Sequence, residues 1–167
     1  MRVAASGILI LMVFAIAGLV ARRSRGLGGI GGVYYLRKSL FTPAERSFFG
    51  VLEALAIPGI TLMAKVRLAD IFGTVRGLGR GARQGALNRI SNKHVDFLLI
   101  RKTDGKPILG IELDDSSHEE EGRVARDSFV NEVFASAGIP ILHIPARPNY
   151  NPAEIRQKID DAMADRG

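Results

Sequence analysis

The stretch Ile108–Glu121, ILGIELDDSSHEEE, opens as a buried strand with Ile108, Leu109, Ile111 and Leu113, yet it carries Glu112 and Asp114 before breaking into a polar loop that holds His118. Ionised carboxylates are costly to bury without compensation, so either the strand emerges into water here or a cation waits for them. Side chains two apart on a strand share a face. Glu112 and Asp114 therefore point one way, and Leu109, Ile111 and Leu113 the other. The preceding run is built in the same manner. Val95, Phe97 and Leu99 form one face, and Asp96 shares the other with Leu98 and Ile100.

Whether the three acids meet depends on the register of a hairpin through Lys102-Thr103-Asp104-Gly105-Lys106. A two-residue Asp104-Gly105 loop would set Asp96 opposite Leu113, on the wrong face, because a one-residue slip turns every side chain over. A three-residue loop, Thr103–Gly105 with Gly105 at positive φ, pairs Lys102 with Lys106. Asp96 then falls opposite Glu112, and His94 opposite Asp114. Directly opposed Cβ atoms lie about 5 Å apart, close enough for carboxylates to share a divalent ion. An oxygen-only set of Asp96, Glu112 and Asp114 suits Mg²⁺ or Mn²⁺. Without the ion the acids repel one another, and Asp96→Asn or Glu112→Gln is expected to be neutral or stabilising. The plainer reading is a solvated strand end beside a turn. Three acids at period-consistent positions inside apolar strands weigh against it. His118, a polar loop residue, draws interest only from lying four residues past Asp114.

Outward from this hairpin the chain reads as helix, strand, strand, strand, helix, strand, helix, an α/β order. Thr42-Pro43-Ala44-Glu45 is a helix start, with Thr42 as N-cap, Pro43 in the first turn and Glu45 reaching back in a capping box. Phe48, Leu52 and Leu55 line one side of that helix, and Pro58-Gly59 ends it. Ile60–Phe72 reads as a strand. From Gly73 to Lys93 the chain carries Arg76, Arg80, Arg83, Arg89 and Lys93 without one acid, a basic loop with a helical turn or two. So unbalanced a run is either a solvated face or a polyanion contact. Gly122–Ala137 is helical, stopped by Gly138, and Ile139–Ile144 is a short strand. Asn151-Pro152-Ala153-Glu154 starts a terminal helix within 148–167, with Ile155, Ile159 and Met163 inward.

The 167 residues carry a net charge of +6 and a pI near 10.1, which favours an anionic partner, nucleic acid or a lipid surface. With no cysteine, disulfides, thiolate zinc sites and cysteine nucleophiles are excluded. Residues 3–21 contain no charge, and a helix of that length spans roughly 28 Å, near the thickness of a bilayer core. The expectation is a transmembrane anchor, with a cleaved signal peptide as the alternative. Arg22, Arg23 and Arg25 follow, so the positive-inside rule places the domain at the cytoplasmic face of the inner membrane. Residues 22–33 form a basic, glycine-rich linker, and a domain over 34–147 follows.

AERSFF, NKHVDFLLI, IELDDSSHEE and RDSFVNEVFASAGIPILHI, within about Tyr34–Arg147, resemble a bacterial domain family of unknown function in the PD-(D/E)XK nuclease-like (restriction endonuclease-like) superfamily, akin to its very-short-patch-repair endonuclease-like branch. The resemblance implies an α-β-β-β-α-β core with a mixed sheet, Asp on the second strand and Glu-x-Lys on the third. It implies Mg²⁺-dependent hydrolysis of phosphodiester bonds in DNA, with Asp96 and Glu112 on the metal. Asp114 stands where many members carry lysine, and His118, Arg123 or Arg126 are the candidates to replace that charge. Glu45 matches a first-helix glutamate that faces the site in some relatives. The alternative is a catalytically inactive module of the same fold that binds nucleic acid or a protein partner.

Overall fold

The computed structural model describes residues 34–114 and 129–164. The expected anchor over 3–21 and linker over 22–33 lie outside the described residues. So do His118, Arg123, Arg126 and the first part of the helix expected over 122–137. The chain divides into a unit through Leu40 and a unit from Phe41 onward. Of the first, residues 34–40 are described, with Tyr34, Tyr35, Leu36 and Leu40 exposed.

The second unit is α/β. Its elements are α1 (Pro43–Leu55), β1 (Ile60–Arg67), the single turn α2 (Leu68–Ile71), α3 (Arg80–Ser91), β2 (His94–Arg101), β3 (Pro107–Asp114), α4 (helical over 129–136), β4 (Ile141–Pro145) and α5 (Pro152–Ala164). The four strands form one mixed sheet in the order β1-β2-β3-β4. β1–β2 and β2–β3 are antiparallel, and β3–β4 is parallel. Among the described residues no helix is long and apolar enough to cross a membrane.

Two of the expected elements require correction. The first strand stops at Arg67 rather than Phe72, because Leu68–Ile71 turns as a helix so that Leu68 and Phe72 can be buried. The basic segment is not a loop with a turn or two. Its second half is the 12-residue helix α3, seated on the body by Ile90 and the half-buried Ala86 and Leu87.

Each face of the sheet carries its own core. On one, Phe97, Leu99, Leu109, Ile111 and Ile144 pack against Phe48 and Leu52 of α1 and Ile155 and Ile159 of α5. On the other, Leu98 packs with Leu68, Phe72, Ile90, Val130 and Phe134. Gly110 lets α4 come down onto β3, since a Cβ there would lie 2.5 Å from the Phe134 ring. Gly138, at φ +66, ends that helix where expected, with the Ile139 N–H bonded to the Phe134 carbonyl at 3.1 Å.

The strict alternation expected of β2 fails at one point. Val95 packs in the second core with Leu98, while Phe97 and Leu99 are in the first. β1 changes face at the same level, with Ala64 against the first core and Val66 against the second. Between them Lys65 adopts φ +54, a left-handed conformation that a non-glycine residue takes only at a cost. The kink reverses the inward and outward sense of both strands between Lys65 and Asp96.

Candidate functional site

The hairpin reaches the expected register by another route. Its turn is not the three-residue loop with Lys102 paired to Lys106. The Arg101 N–H bonds the Lys106 carbonyl at 2.8 Å, which leaves the four residues Lys102–Gly105 in the turn. An even turn would put Asp96 on the wrong face. A bulge repairs it: Ile100 pairs with Pro107 but Leu99 with Leu109, so Ile108 is the extra residue on β3. Beyond it Phe97 faces Ile111, and one step further the same register carries Asp96 toward Glu112. Gly105 has the positive φ expected, +69.

The β2–β3 register runs no further than Phe97 and Ile111. Past it the Asp96 carboxylate fills the gap, with Oδ2 accepting the Leu113 N–H at 3.1 Å. Its Oδ1 accepts from Lys65 Nζ at 2.8 Å. The same ammonium donates to Glu45 Oε1 at 2.7 Å, and the Glu45 Oε2 accepts the Thr42 N–H at 3.0 Å, closing the capping box of α1. Glu45 thus caps its helix and faces the site at once, one oxygen for each. All three side chains are largely shielded, at 25 % exposure for Lys65, 14 % for Glu45 and 17 % for Asp96. For Asp96 the waiting cation is Lys65. Burial by itself would lower the Lys65 pKa. The hydrogen bonds that it donates to Asp96 and Glu45, with the charges of those carboxylates, outweigh it and hold the ammonium above its ordinary value.

Asp114 takes a different partner from the one expected. It meets not His94 but His143 of β4, Oδ1 to Nδ1 at 3.1 Å. The other imidazole nitrogen, Nε2, lies 2.8 Å from Asn131 Oδ1 on α4. Glu112 sits across from His143 in the parallel register, between Leu113 and Ile111 on β3. The Leu113 amide that holds Asp96 therefore lies between Glu112 and Asp114, and the two clusters adjoin at one end of the sheet. The side chains of Asp96, Glu112 and Asp114 do not converge as they stand: among the described residues no group of three His, Asp or Glu is arranged to hold a metal ion. Their chemistry is nonetheless the hard oxygen set that Mg²⁺ accepts.

Sequence reasoning missed Lys65, His143 and Asn131. Lys65 had a signal, a lone charge inside ITLMAKV. His143 had the same one, as the polar residue of ILHIP. Asn131 had none, because its role depends on how α4 lies over β4.

The expected nucleic-acid residues sit elsewhere on the fold. Arg76 precedes α3, Arg80, Arg83 and Arg89 lie on it, and Lys93 follows it, with all but the half-buried Lys93 exposed. Arg89 lies 4.3 Å and Lys93 5.4 Å from the centroid of the Phe129 ring. Behind α3 is an apolar cavity of about 370 Å³ bounded by Phe72, Val75, Leu78, Ile90, Phe129 and Val133. None of the carboxylates above lines it.

The fold and the charged cluster at the end of its sheet define an α/β domain with a mixed four-stranded sheet. Residues 37–163 match the family described as "Protein of unknown function (DUF2726)", and the chain belongs to that family. The match runs through α5, in keeping with the place of Ile155 and Ile159 in the first core. No curated protein and no solved structure matches the chain.

Proposed function

We propose that this protein is a nuclease-like hydrolase of the PD-(D/E)XK type, cleaving phosphodiester bonds in DNA with Mg²⁺ or Mn²⁺ and tethered to the membrane through residues 3–21. The observation that carries the reading is Lys65. Asp114 occupies the third-strand position where many such enzymes carry lysine, and an ammonium is supplied instead from β1, fixed against Asp96 and Glu45. Asp96, Glu112 and Asp114 would hold the divalent ion, whose contribution when bound is to acidify a water and screen the phosphate. Lys65 keeps its proton and offers positive charge to the phosphate as negative charge builds in the transition state. His143, braced by Asn131, orients the Asp114 carboxylate.

A second reading, a non-catalytic module that binds nucleic acid, is favoured by the acids not converging and by the exposed cations around α3. Titration of Mg²⁺ and Mn²⁺ into the full chain, followed by a plasmid nicking assay, separates the two. The nuclease reading expects metal binding and nicking, both lost in Asp96→Asn and Glu112→Gln, with nicking also lost in Lys65→Met. A wild-type chain that binds neither ion and cuts no DNA leaves the binding module.

A further inference from the structure

Four residues, Gly81, Gln84, Gly85 and Asn88, line the outer side of α3, opposite Ala86, Leu87 and Ile90, which seat the helix. All four are exposed, and Arg80 and Arg89 flank them. Nothing in the fold asks for glycine at 81 or 85: neither has a positive φ, and a Cβ at either would meet no atom within 4 Å. Two such glycines weaken a 12-residue helix, where alanine would be preferred. The charge around them is of one sign. Arg76, Arg80 and Arg83 make no ion pair among the described residues, and the sequence from 73 to 93 holds no acid.

The carboxamides add a second kind of information. Gln84 Nε2 donates to Asn88 Oδ1 at 2.8 Å, which locks the two side chains together. Both residues are exposed, and the Gln84 oxygen and the Asn88 amide hydrogens make no further hydrogen bond among the described residues, which leaves one acceptor and one donor unused. An adenine presents the complementary pair in the major groove, its N6 amino group as donor and N7 as acceptor.

We propose that the outer face of α3 is a docking surface for duplex nucleic acid, with Arg76, Arg80 and Arg89 on phosphates, Gly81 and Gly85 allowing the helix into a major groove, and Gln84 with Asn88 against base edges. It rests on the nucleic-acid reading above and adds the form of the ligand and the element that reads it. The groove of B-DNA, about 12 Å wide, takes a helix of about 10–12 Å, so a face stripped to glycine seats deeper than one with side chains.

The test uses the full chain in EDTA, so that binding is read without cleavage, on a 20-base-pair duplex of mixed sequence and on one of its strands alone. The wild type is expected to prefer the duplex at least tenfold. Gly81→Leu with Gly85→Leu keeps good helix formers on the surface and should raise Tm slightly while weakening duplex binding tenfold or more. Gln84→Ala with Asn88→Ala should flatten discrimination between duplexes selected from a random pool. Equal affinity for single strand and duplex, or duplex binding untouched by the leucine pair, overturns the proposal while leaving nucleic-acid binding standing. If Arg76→Ala, Arg80→Ala and Arg89→Ala together also leave affinity unchanged, the nucleic-acid reading falls with it.

Discussion

The cluster of Glu45, Lys65 and Asp96 and the surface of α3 treat charge in opposite ways. In the first, two carboxylates and one ammonium close on each other within 2.8 Å, largely shielded from water. In the second, arginines stand exposed with no acid near them in the sequence. Charges removed from water must be neutralised from within the fold, because an uncompensated one is costly there. Charges kept in water need no internal partner, so a surplus of one sign remains available to something outside. Changes to the first region are therefore expected to alter stability, and changes to the second to leave it nearly untouched.

Both regions depend on the sheet that carries them, and the largest expected effect comes from there. Gly110→Ala would push a methyl to within 2.5 Å and 2.7 Å of two atoms of the fully buried Phe134 ring. Displacing α4 should cost about 3 kcal/mol in urea unfolding, as overpacked cores do. It should also loosen Asn131 from His143. A variant as stable as the wild type would mean that α4 is not seated on β3 as described.

Lys65→Met tests the closed region directly. It strands Glu45 and Asp96 half-buried without their cation, and should destabilise the chain by about 2 kcal/mol, with Lys65→Arg recovering part of the loss. The structure also reverses an expectation from sequence. Asp96→Asn in metal-free buffer should destabilise rather than relieve repulsion, because Asp96 is paired with Lys65 and holds the Leu113 amide. The Lys65 pKa is raised on folding. Its contribution is therefore complete below the ordinary lysine pKa and fades as pH climbs through the higher folded value. Chemical denaturation followed from pH 9 to pH 12 should show an alkaline loss in the wild type that is smaller in Lys65→Met.

The open region should answer the other way. Replacing Arg76 and Arg80 by alanine should leave the urea midpoint unchanged while lowering the slope of log affinity against log salt by up to about one unit per lost phosphate contact. A large loss of stability would make these arginines structural and erase the contrast. The smallest effect is expected at Arg67 and Asp70, an exposed pair at 2.8 Å with 60 % and 52 % of the side chains in water. Arg67→Ala should leave both stability and DNA binding as they are, since ion pairs in full solvent contribute little.

Much of this domain was legible from local pattern. The capping box at Thr42 and Glu45, the stop at Gly138, the two strands of the hairpin and the positive φ of Gly105 all follow from signals spanning a few residues. The helix in the basic segment was not, because its hydrophobic contacts are few and two glycines dilute its propensity. Register lay between these extremes. The expected pairing across Phe97 and Ile111 stands on a different turn from the one expected, because the even turn and the bulge at Ile108 cancel.

By itself the sequence determined the α/β class and the order of the four strands, the acids on β2 and β3 and the surplus of positive charge, because hydrophobic period, capping and charge are properties of neighbouring residues. Only the tertiary structure decided which cation meets Asp96, that His143 rather than His94 meets Asp114, and that Glu45 serves two partners. Those pairings join residues 20 to 31 positions apart, and the two made by Lys65 depend on the kink there, where β1 and β2 change face together. Such a kink is favourable only when the surrounding packing compensates for it, and that balance is a property of the assembled sheet rather than of any short stretch of chain.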